Sequence, residues 1–234
     1  MYAVLFDIDG TLLQTGGAGH VAFSETFREL FDVDEIPTGI AFAGRSDRAI
    51  SAEIMEHCGI EPTVENWNRF FDDYRSRLER VLKECSGTVL PGVFEVLEGL
   101  EQHAHVALGL LTGNTEFGAR AKTSAYGLGG RFAFGGYGDE RTHRNDIAAD
   151  ARLAAERYAQ QSDIHGPLCG AMVIGDTPAD VECGRAIDAF VVAVGTGGSS
   201  MQELEACAPD LLLADLTDAE TLLAEVAAAG SAAH

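Results

Sequence analysis

Three short apolar segments of the sequence are each followed directly by a polar side chain. Asp7, Thr112 and Asp176 hold these positions. Apolar segments of this length without polar alternation are typical of strands buried on both faces of a parallel sheet. The carboxyl ends of parallel strands meet at one edge of the sheet, where open α/β folds bind their ligands. We therefore expect these side chains to lie close together.

Asp7 and Asp9 are separated by one residue, so in extended backbone both carboxylates point to the same side. With Asp176 from another strand, they would bring like charges together in one cleft. A hard divalent cation relieves this repulsion, and Mg²⁺ prefers such oxygen ligands. A single Asp at any of these positions could instead cap a helix or stabilise a turn. The convergence of the carboxylates favours a magnesium site.

Glycine or an expected helix start accompanies each of these polar residues. Gly10 follows Asp9, Gly113 follows Thr112, and the segment after Asp176 has the pattern of a helix N-terminus. Backbone N–H groups in such turns and at helix N-termini can hold a phosphate group. The same edge of the sheet is therefore predicted to bind an anion.

Strands and helices alternate along most of the chain. Strands are predicted at residues 3–6, 106–111, 171–174 and 190–194, with a weaker one at 132–134 and a short one at 211–213. Helices are predicted between and after them at residues 94–102, 116–126, 146–161, 179–187, 200–207 and 217–228. This alternation indicates an α/β fold with a doubly wound, Rossmann-like parallel sheet.

A segment near the N-terminus interrupts the alternation. Helical patterns occur there at residues 19–31, 46–58 and 64–84, without a convincing strand. A helical block between the first and second strands predicts an inserted all-helical cap domain at residues 15–87. The core would consist of residues 1–14 plus 88–234. Glycines at both ends of the insertion would let the backbone act as a hinge.

The motifs resemble those of a known family. Residues 4–11 (VLFDIDGT) resemble the first motif of the haloacid dehalogenase superfamily, residues 110–114 (LLTGN) its second, and residues 175–180 (GDTPAD) its fourth. Their order, their places at strand ends and the helical insertion match the branch with a helical cap, which includes phosphoglycolate phosphatase-like members. The resemblance covers essentially the whole chain.

This resemblance implies a magnesium-dependent phosphohydrolase that acts on a small phosphorylated metabolite. Asp7 would be the nucleophile that forms an aspartyl-phosphate, and Asp9 would be the general acid and base. The Asp7 carboxylate, the Asp9 backbone carbonyl and Asp176 would hold Mg²⁺. Asp180 could orient a metal-bound water, or it could be an ordinary acid in the first turn of a helix.

The second motif would bind the phosphoryl group. By the resemblance, Thr112 would donate a hydrogen bond to a phosphoryl oxygen, with help from the backbone N–H groups of Gly113 and Asn114. The third motif departs from the family, because no lysine precedes the helix ahead of the fourth motif. Arg141 and Arg144 are the available cations. We favour Arg144 as the phosphate-binding residue because it immediately precedes the predicted helix.

The predicted cap contributes weaker signals. Residues 44–47 (GRSD) resemble a cap segment that faces the active site in phosphoglycolate phosphatase-like members. Arg45 could meet a second anionic group on the substrate, or it could be an exposed neighbour of a helix N-cap at Ser46 or Asp47. His20 could face the cleft or be a partly buried cap residue.

Other functions compatible with the fold remain open. A sugar phosphomutase would keep the same carboxylates, and a catalytically inactive α/β binding protein would keep the fold alone. A dehalogenase would not need Asp9 or Asp176 at these positions, so the presence of both residues argues against that activity. A phosphonatase would need a cap lysine, and Lys83 at the end of the block is unsuitable.

Composition limits the partners and the compartment. The net charge of −21 and the pI near 4.5 argue against nucleic acid or an anionic membrane as a partner. The charge reflects either adaptation to high salt or a composition rich in Ala, Arg, Gly and Asp. Five scattered cysteines without a Cys-x-x-Cys pair fit reduced thiols. No export signal or membrane-length apolar segment is visible, so we expect a cytoplasmic protein.

Overall fold

The computed structural model describes residues 1–161 and 166–231. Its strands in chain order are β1 (Tyr2–Phe6), β2 (Leu13–Gln14), β3 (Thr88–Val89), β4 (Val106–Leu111), β5 (Phe134–Gly136), β6 (Gly170–Gly175), β7 (Phe190–Val194) and β8 (Leu211–Leu213). Its helices are α1 (Ala18–Phe31), α2 (Asp47–His57), α3 (Val64–Glu84), α4 (Val93–Glu101), α5 (Glu116–Ala125), α6 (Arg144–Gln161), α7 (Pro178–Ala186), α8 (Met201–Ala206) and α9 (Ala219–Ser231).

Most of these strands form one parallel sheet. Its order is β5-β4-β1-β6-β7-β8, and every pairing is parallel. Residues of β1 and β4 are buried throughout because helices cover both faces of the sheet. The prediction of a doubly wound, Rossmann-like sheet is therefore confirmed, with the order reversing at β1.

The weak strand expected at residues 132–134 is displaced towards the C-terminus. The observed β5 runs from Phe134 to Gly136 and pairs with the end of β4, Leu111 opposite Gly136. Two of its residues are glycines, which have low strand propensity and no side chain that could form an apolar pattern. The aromatic residues at 132 and 134 therefore did not indicate where this edge strand begins and ends.

The segments between β2 and β3 fold into a helical block, defined as α1, α2 and α3 with their connecting loops. Its core is a separate apolar cluster, in which Phe23, Phe27, Phe70 and Tyr74 stack ring against ring. At the two crossings into the sheet, β2 and β3 pair antiparallel. The two segments that connect the helical block to the rest of the chain therefore run side by side as a short two-stranded ribbon.

Among the described residues, no helix combines the length and apolar character needed to cross a membrane.

Candidate active site

The carboxyl ends of β1, β4 and β6 bring the predicted polar residues together. Asp7, Thr112 and Asp176 are buried and line a cavity of about 520 Å³. The cavity lies beside β1, where the strand order reverses, the usual ligand position in a doubly wound sheet. Side chains of the helical block complete the lining: His20, Phe23, Phe42, Arg45, Ile50 and Tyr74.

Arg144 is the buried cation beside Asp7. Its Nη2 donates to Asp7 Oδ1 at 2.7 Å, to Asp180 Oδ1 and to the Leu111 carbonyl at 3.2 Å. The structure makes Arg144 the first residue of α6 rather than the residue before the helix. Arg141, the other cation considered, pairs with an acid of α6 at the surface. Of these two arginines, only Arg144 reaches Asp7.

Asp180 serves two structural purposes. Its Oδ2 accepts hydrogen bonds from the Thr177 N–H at 3.0 Å and the Thr177 hydroxyl at 2.7 Å. The Asp180 N–H donates in return to Thr177 Oγ1 at 3.3 Å, which completes a capping box at the start of α7. Its Oδ1 accepts from Arg144. Asp180 is therefore a first-turn helix acid, as one of the two sequence interpretations held, and it also anchors the buried guanidinium.

The donor set at this edge of the sheet fits a divalent cation. Carboxylate oxygens of Asp7, Asp176 and Asp180 lie within 4.8 Å of one another, and all three residues are buried. Arg144 supplies one positive charge against their three negative charges. Hard oxygen donors with excess negative charge are what Mg²⁺ prefers. The residues present therefore fit the ion that the sequence predicted.

The pKa values of the buried acids reflect burial first and the neighbouring charges second. Burial raises the pKa of Asp7 to about 6, although Arg144 opposes the shift. Burial, and then repulsion from Asp7 and Asp180, raises the pKa of Asp176 to about 8. The Thr11 hydroxyl donates to Asp176 Oδ1 at 3.0 Å, which offsets part of this penalty. A bound cation would favour the charged form of both acids.

Asp9 lies apart from this acidic cluster. Its side chain is 43% exposed, and its Oδ2 accepts from Lys122 Nζ at 2.6 Å and Asn114 Nδ2 at 2.8 Å. Asn114 Nδ2 also donates to Thr112 Oγ1 at 2.9 Å, while the Asn114 backbone N–H lies 3.3 Å from the same hydroxyl oxygen. The predicted acid–base residue and the second motif are therefore joined through Asn114.

Lys122 is a site residue that the sequence analysis missed. It lies on α5, and its side chain is only 5% exposed. A signal was present, because the buried face of α5 carries Gly118, Ala119, Lys122 and Thr123 at helical spacing. A lysine within such a face requires an acidic partner, since an unpaired buried ammonium group is strongly unfavourable.

Two hydrogen bonds join the helical block to the second motif and to Thr115, which follows it. The Asp47 N–H donates to the Gly113 carbonyl at 2.8 Å, and the Thr115 N–H donates to Asp47 Oδ2 at 2.9 Å. A Cβ on Gly113 would lie 2.0 Å from the Arg45 carbonyl oxygen, so this close approach requires glycine. Ser46, one of the two predicted N-caps, accepts from the Ala49 N–H and caps α2.

Arg45 and His20, two residues of the helical block, both line the cavity. Arg45 forms an ion pair with Glu53 and donates to the Ala41 carbonyl at 3.3 Å. His20 is exposed rather than partly buried, and its ring lies 5.1 Å from that of Phe42. The guanidinium that could have met a second substrate anion is therefore paired within the block.

The Asp47 contact predicts a pH-dependent stability. Burial raises the pKa of Asp47 to about 6, although Lys122 and the Thr115 N–H oppose the shift. The folded state therefore binds a proton more tightly than the unfolded chain, and stability falls as pH rises from about 4 to about 6. We expect Asp47→Asn to raise the free energy of unfolding at pH 7.5 by up to about 3 kcal/mol and to change it little at pH 4.

Urea unfolding of both proteins at the two pH values measures this difference, with the exposed Asp72→Asn as control. A loss of stability in Asp47→Asn that is equal at both pH values would contradict the assignment.

Comparison with known proteins identifies the family of the chain. The sequence model of the haloacid dehalogenase-like hydrolase family matches residues 4–185. Pyrophosphatase PpaX of Oceanobacillus iheyensis is 21% identical over 229 residues, covering 95% of this chain and 96% of that protein.

Two solved structures share the fold. CbbY from Rhodobacter sphaeroides, solved with phosphate, has a TM-score of 0.72 at 18% identity and covers 93% of this chain and 96% of its own. A hydrolase from Pseudomonas syringae has a TM-score of 0.70 at 24% identity, with coverages of 97% and 99%. Because the family match runs from β1 to α7 and includes every acid and cation of the cavity, the chain belongs to the haloacid dehalogenase-like hydrolases.

Proposed function

We propose that the protein is a magnesium-dependent phosphatase that hydrolyses small phosphomonoesters through an aspartyl-phosphate on Asp7. The observation that carries this proposal is the convergence of Asp7, Thr112, Arg144 and Asp176 on one cavity at the carboxyl edge of the sheet. A nucleophile, a hydroxyl donor, a buried guanidinium and a metal-binding acid are the groups that phosphoryl transfer needs.

In the first step, an Asp7 carboxylate oxygen attacks phosphorus and the bond from phosphorus to the leaving oxygen breaks. Asp9 gives its proton to that oxygen, so a neutral alcohol departs. In the second step, a water oxygen attacks the phosphorus of the aspartyl-phosphate and loses a proton to Asp9. The bond between Asp7 and phosphorus then breaks, which restores the enzyme and releases phosphate.

Arg144 has two roles in this scheme. Its Nη2 orients Asp7 through Oδ1. Its Nε is buried without a hydrogen-bond partner among the described residues, and its Nη1 lies 3.1 Å from the position that a Cβ on Gly113 would occupy. The donor that faces the second motif is Nη1, and it could donate to a phosphoryl oxygen bound beside Gly113. Arg144 would thus replace the lysine usual at the third motif.

The second motif would hold the remaining phosphoryl oxygens. The Thr112 hydroxyl is buried beside the cavity and is itself fixed by the Asn114 amide. We assign the donation to phosphate to this hydroxyl and to the backbone N–H groups of Gly113 and Asn114. Such preorganised donors stabilise the charge that develops in the transition state.

Mg²⁺ would be held by the carboxylates of Asp7 and Asp176 and by the Asp9 backbone carbonyl. When bound, it would neutralise charge between the anionic nucleophile and the anionic substrate. In this assignment the side chain of Asp9 does not bind the metal, and its Oδ2 is held by Lys122 and Asn114.

The size of the cavity favours a small soluble substrate. We assign residues 15–87 to a cap over the site, with the ribbon of β2 and β3 at its base. A cavity of about 520 Å³ accommodates a metabolite rather than a phosphorylated protein. Phosphoglycolate, sugar phosphates and pyrophosphate form the panel to compare by kcat/KM, since a curated relative is named a pyrophosphatase.

Hydrolysis of p-nitrophenyl phosphate should require added Mg²⁺. We expect EDTA to lower the rate to the background level and excess Mg²⁺ to restore it, because Asp7 would otherwise repel the substrate. Release of p-nitrophenolate measures the rate, and EDTA saturated beforehand with Mg²⁺ is the control.

Turnover that is unaffected by EDTA would contradict the role of the metal. No turnover of any ester would favour an inactive binding protein, and isomerisation of a sugar phosphate without hydrolysis would favour a phosphomutase.

A further inference from the structure

The hydrogen bonds around Lys122 form a closed set that the proposed chemistry does not yet explain. Lys122 Nζ donates to Asp9 Oδ2 and to Asn114 Oδ1, both at 2.6 Å. Asn114 Nδ2 donates to the same Asp9 oxygen and to Thr112 Oγ1. The acid–base residue and the phosphate-binding hydroxyl are therefore linked through one lysine and one amide.

The direction of each hydrogen bond follows from the chemistry of the groups. An ammonium group can only donate, so the Asn114 atom facing Lys122 must be its carbonyl oxygen. The Asn114 NH₂ group then has to face Asp9 and Thr112. Asp9 Oδ2 accepts from both neighbours, and a proton on that oxygen would conflict with two donors. The proton that Asp9 transfers is therefore carried by its other oxygen, Oδ1.

The burial of Lys122 argues against an incidental contact. Its side chain is 5% exposed, whereas long lysine side chains normally extend their ammonium group to water. The other buried residues of α5 are small and uncharged. An apolar side chain in place of Lys122 would fill the same space without burying a charge. Breaking a buried ion pair is unfavourable, but keeping one adds little stability over an apolar replacement. Stability alone therefore does not account for this lysine.

Resting on the function proposed above, we propose that Lys122 is a positioning residue for proton transfer by Asp9. It fixes the Asp9 carboxylate through Oδ2 and leaves Oδ1 to exchange the proton with the leaving oxygen and then with water. Asn114 Oδ1 accepts from the same ammonium group, and Asn114 Nδ2 donates to the same Asp9 oxygen, which further fixes the carboxylate. The role belongs to a residue of α5, outside the three matched motifs.

A positioning residue for proton transfer should act selectively on substrates. The value of kcat/KM reports the steps up to departure of the leaving group. An alkyl phosphate needs its leaving oxygen protonated, whereas p-nitrophenolate leaves without a proton. We expect Lys122→Met to lower kcat/KM for ethyl phosphate by about tenfold to hundredfold, a share of what general acids contribute. For p-nitrophenyl phosphate, kcat/KM should change by less than about threefold, because no general acid is needed.

The second step gives an independent readout. Hydrolysis of the aspartyl-phosphate needs Asp9 as base for either substrate. Lys122→Met should therefore accumulate phosphoenzyme and show a pre-steady-state burst of p-nitrophenolate, followed by a lower steady rate. Asp9→Asn should show the same pattern more strongly. In the double variant, Lys122→Met should cause no further loss, because the two residues act as one unit.

Matched variants separate this role from general destabilisation. Lys83, the other lysine in the sequence, is exposed at the end of α3, and Lys83→Met should leave both substrates unaffected. Lys122→Gln keeps a neutral donor and should recover part of the ethyl phosphate activity. An equal loss on both substrates for Lys122→Met would show a structural role and overturn the proposal.

A spectroscopic test applies even if substitution of Lys122 prevents folding. In a Lys83→Arg protein labelled with ¹⁵N-lysine, Lys122 provides the single lysine side-chain signal. Asp9→Asn should shift that signal, and an unchanged signal would overturn the proposal. If the unsubstituted protein hydrolyses neither ester, the proposed function fails, and the spectrum still decides whether Lys122 is paired with Asp9.

Discussion

Asp7→Asn should abolish turnover of p-nitrophenyl phosphate, with a loss of about 10⁴-fold or more, while the protein remains folded. The amide is too weak a nucleophile to form the phosphoenzyme. In the unsubstituted protein, Arg144 Nη2 donates to Asp7 Oδ1 at 2.7 Å. The carbonyl oxygen of the substituted Asn can accept the same hydrogen bond. Since Asp7 is buried and its pKa is raised to about 6, loss of its charge also removes a desolvation penalty. Steady-state kinetics and thermal unfolding should therefore diverge.

Asp34→Asn, which changes an exposed aspartate in the helical block, is the matched control and should keep full activity. Acid quenching of the unsubstituted protein during turnover should trap phosphate on the chain, and peptide mapping should locate it on Asp7. Retained activity in Asp7→Asn, or phosphate trapped on another residue, would refute the nucleophile.

Arg144→Ala should produce the second large effect, on activity and on stability together. We expect kcat/KM to fall by about 10²-fold to 10³-fold, as for loss of a preorganised donor to the transition state. The variant leaves the buried carboxylates of Asp7 and Asp180 without their shared partner. Breaking a buried ion pair in this way costs about 3–5 kcal/mol. Kinetics and urea unfolding measure the two effects.

Two variants show whether the guanidinium itself is needed. Arg144→Lys restores the charge without the bidentate fork, so it should recover stability more fully than activity. Arg141→Ala removes an exposed arginine, and surface ion pairs contribute little to stability, so both effects should be mild. A severe loss of phosphate binding in Arg141→Ala with a mild one in Arg144→Ala would reject the assignment of the cation.

Local patterns explain how much of the fold could be predicted from the sequence. Strands β4, β7 and β8 were predicted with the observed limits, as was helix α3. A buried parallel strand has to be apolar throughout, and an amphipathic helix repeats its apolar face, so both leave a pattern in consecutive residues. Strand β5 left no such pattern, because two of its three residues are glycines.

The candidate site also has a part that local patterns predicted and a part that they did not. That Asp7, Thr112 and Asp176 lie together could be predicted from the sequence, because residues that follow parallel strands reach the same edge of the sheet. Which side chains pair there depended on the rotation of helices and the docking of the helical block. Those geometries bring together residues far apart in the chain, such as Lys122 with Asp9 and Arg144 with Asp7, at separations of 113 and 137 residues. These pairs depend on the folded chain, because no pattern of neighbouring residues records a contact across such distances.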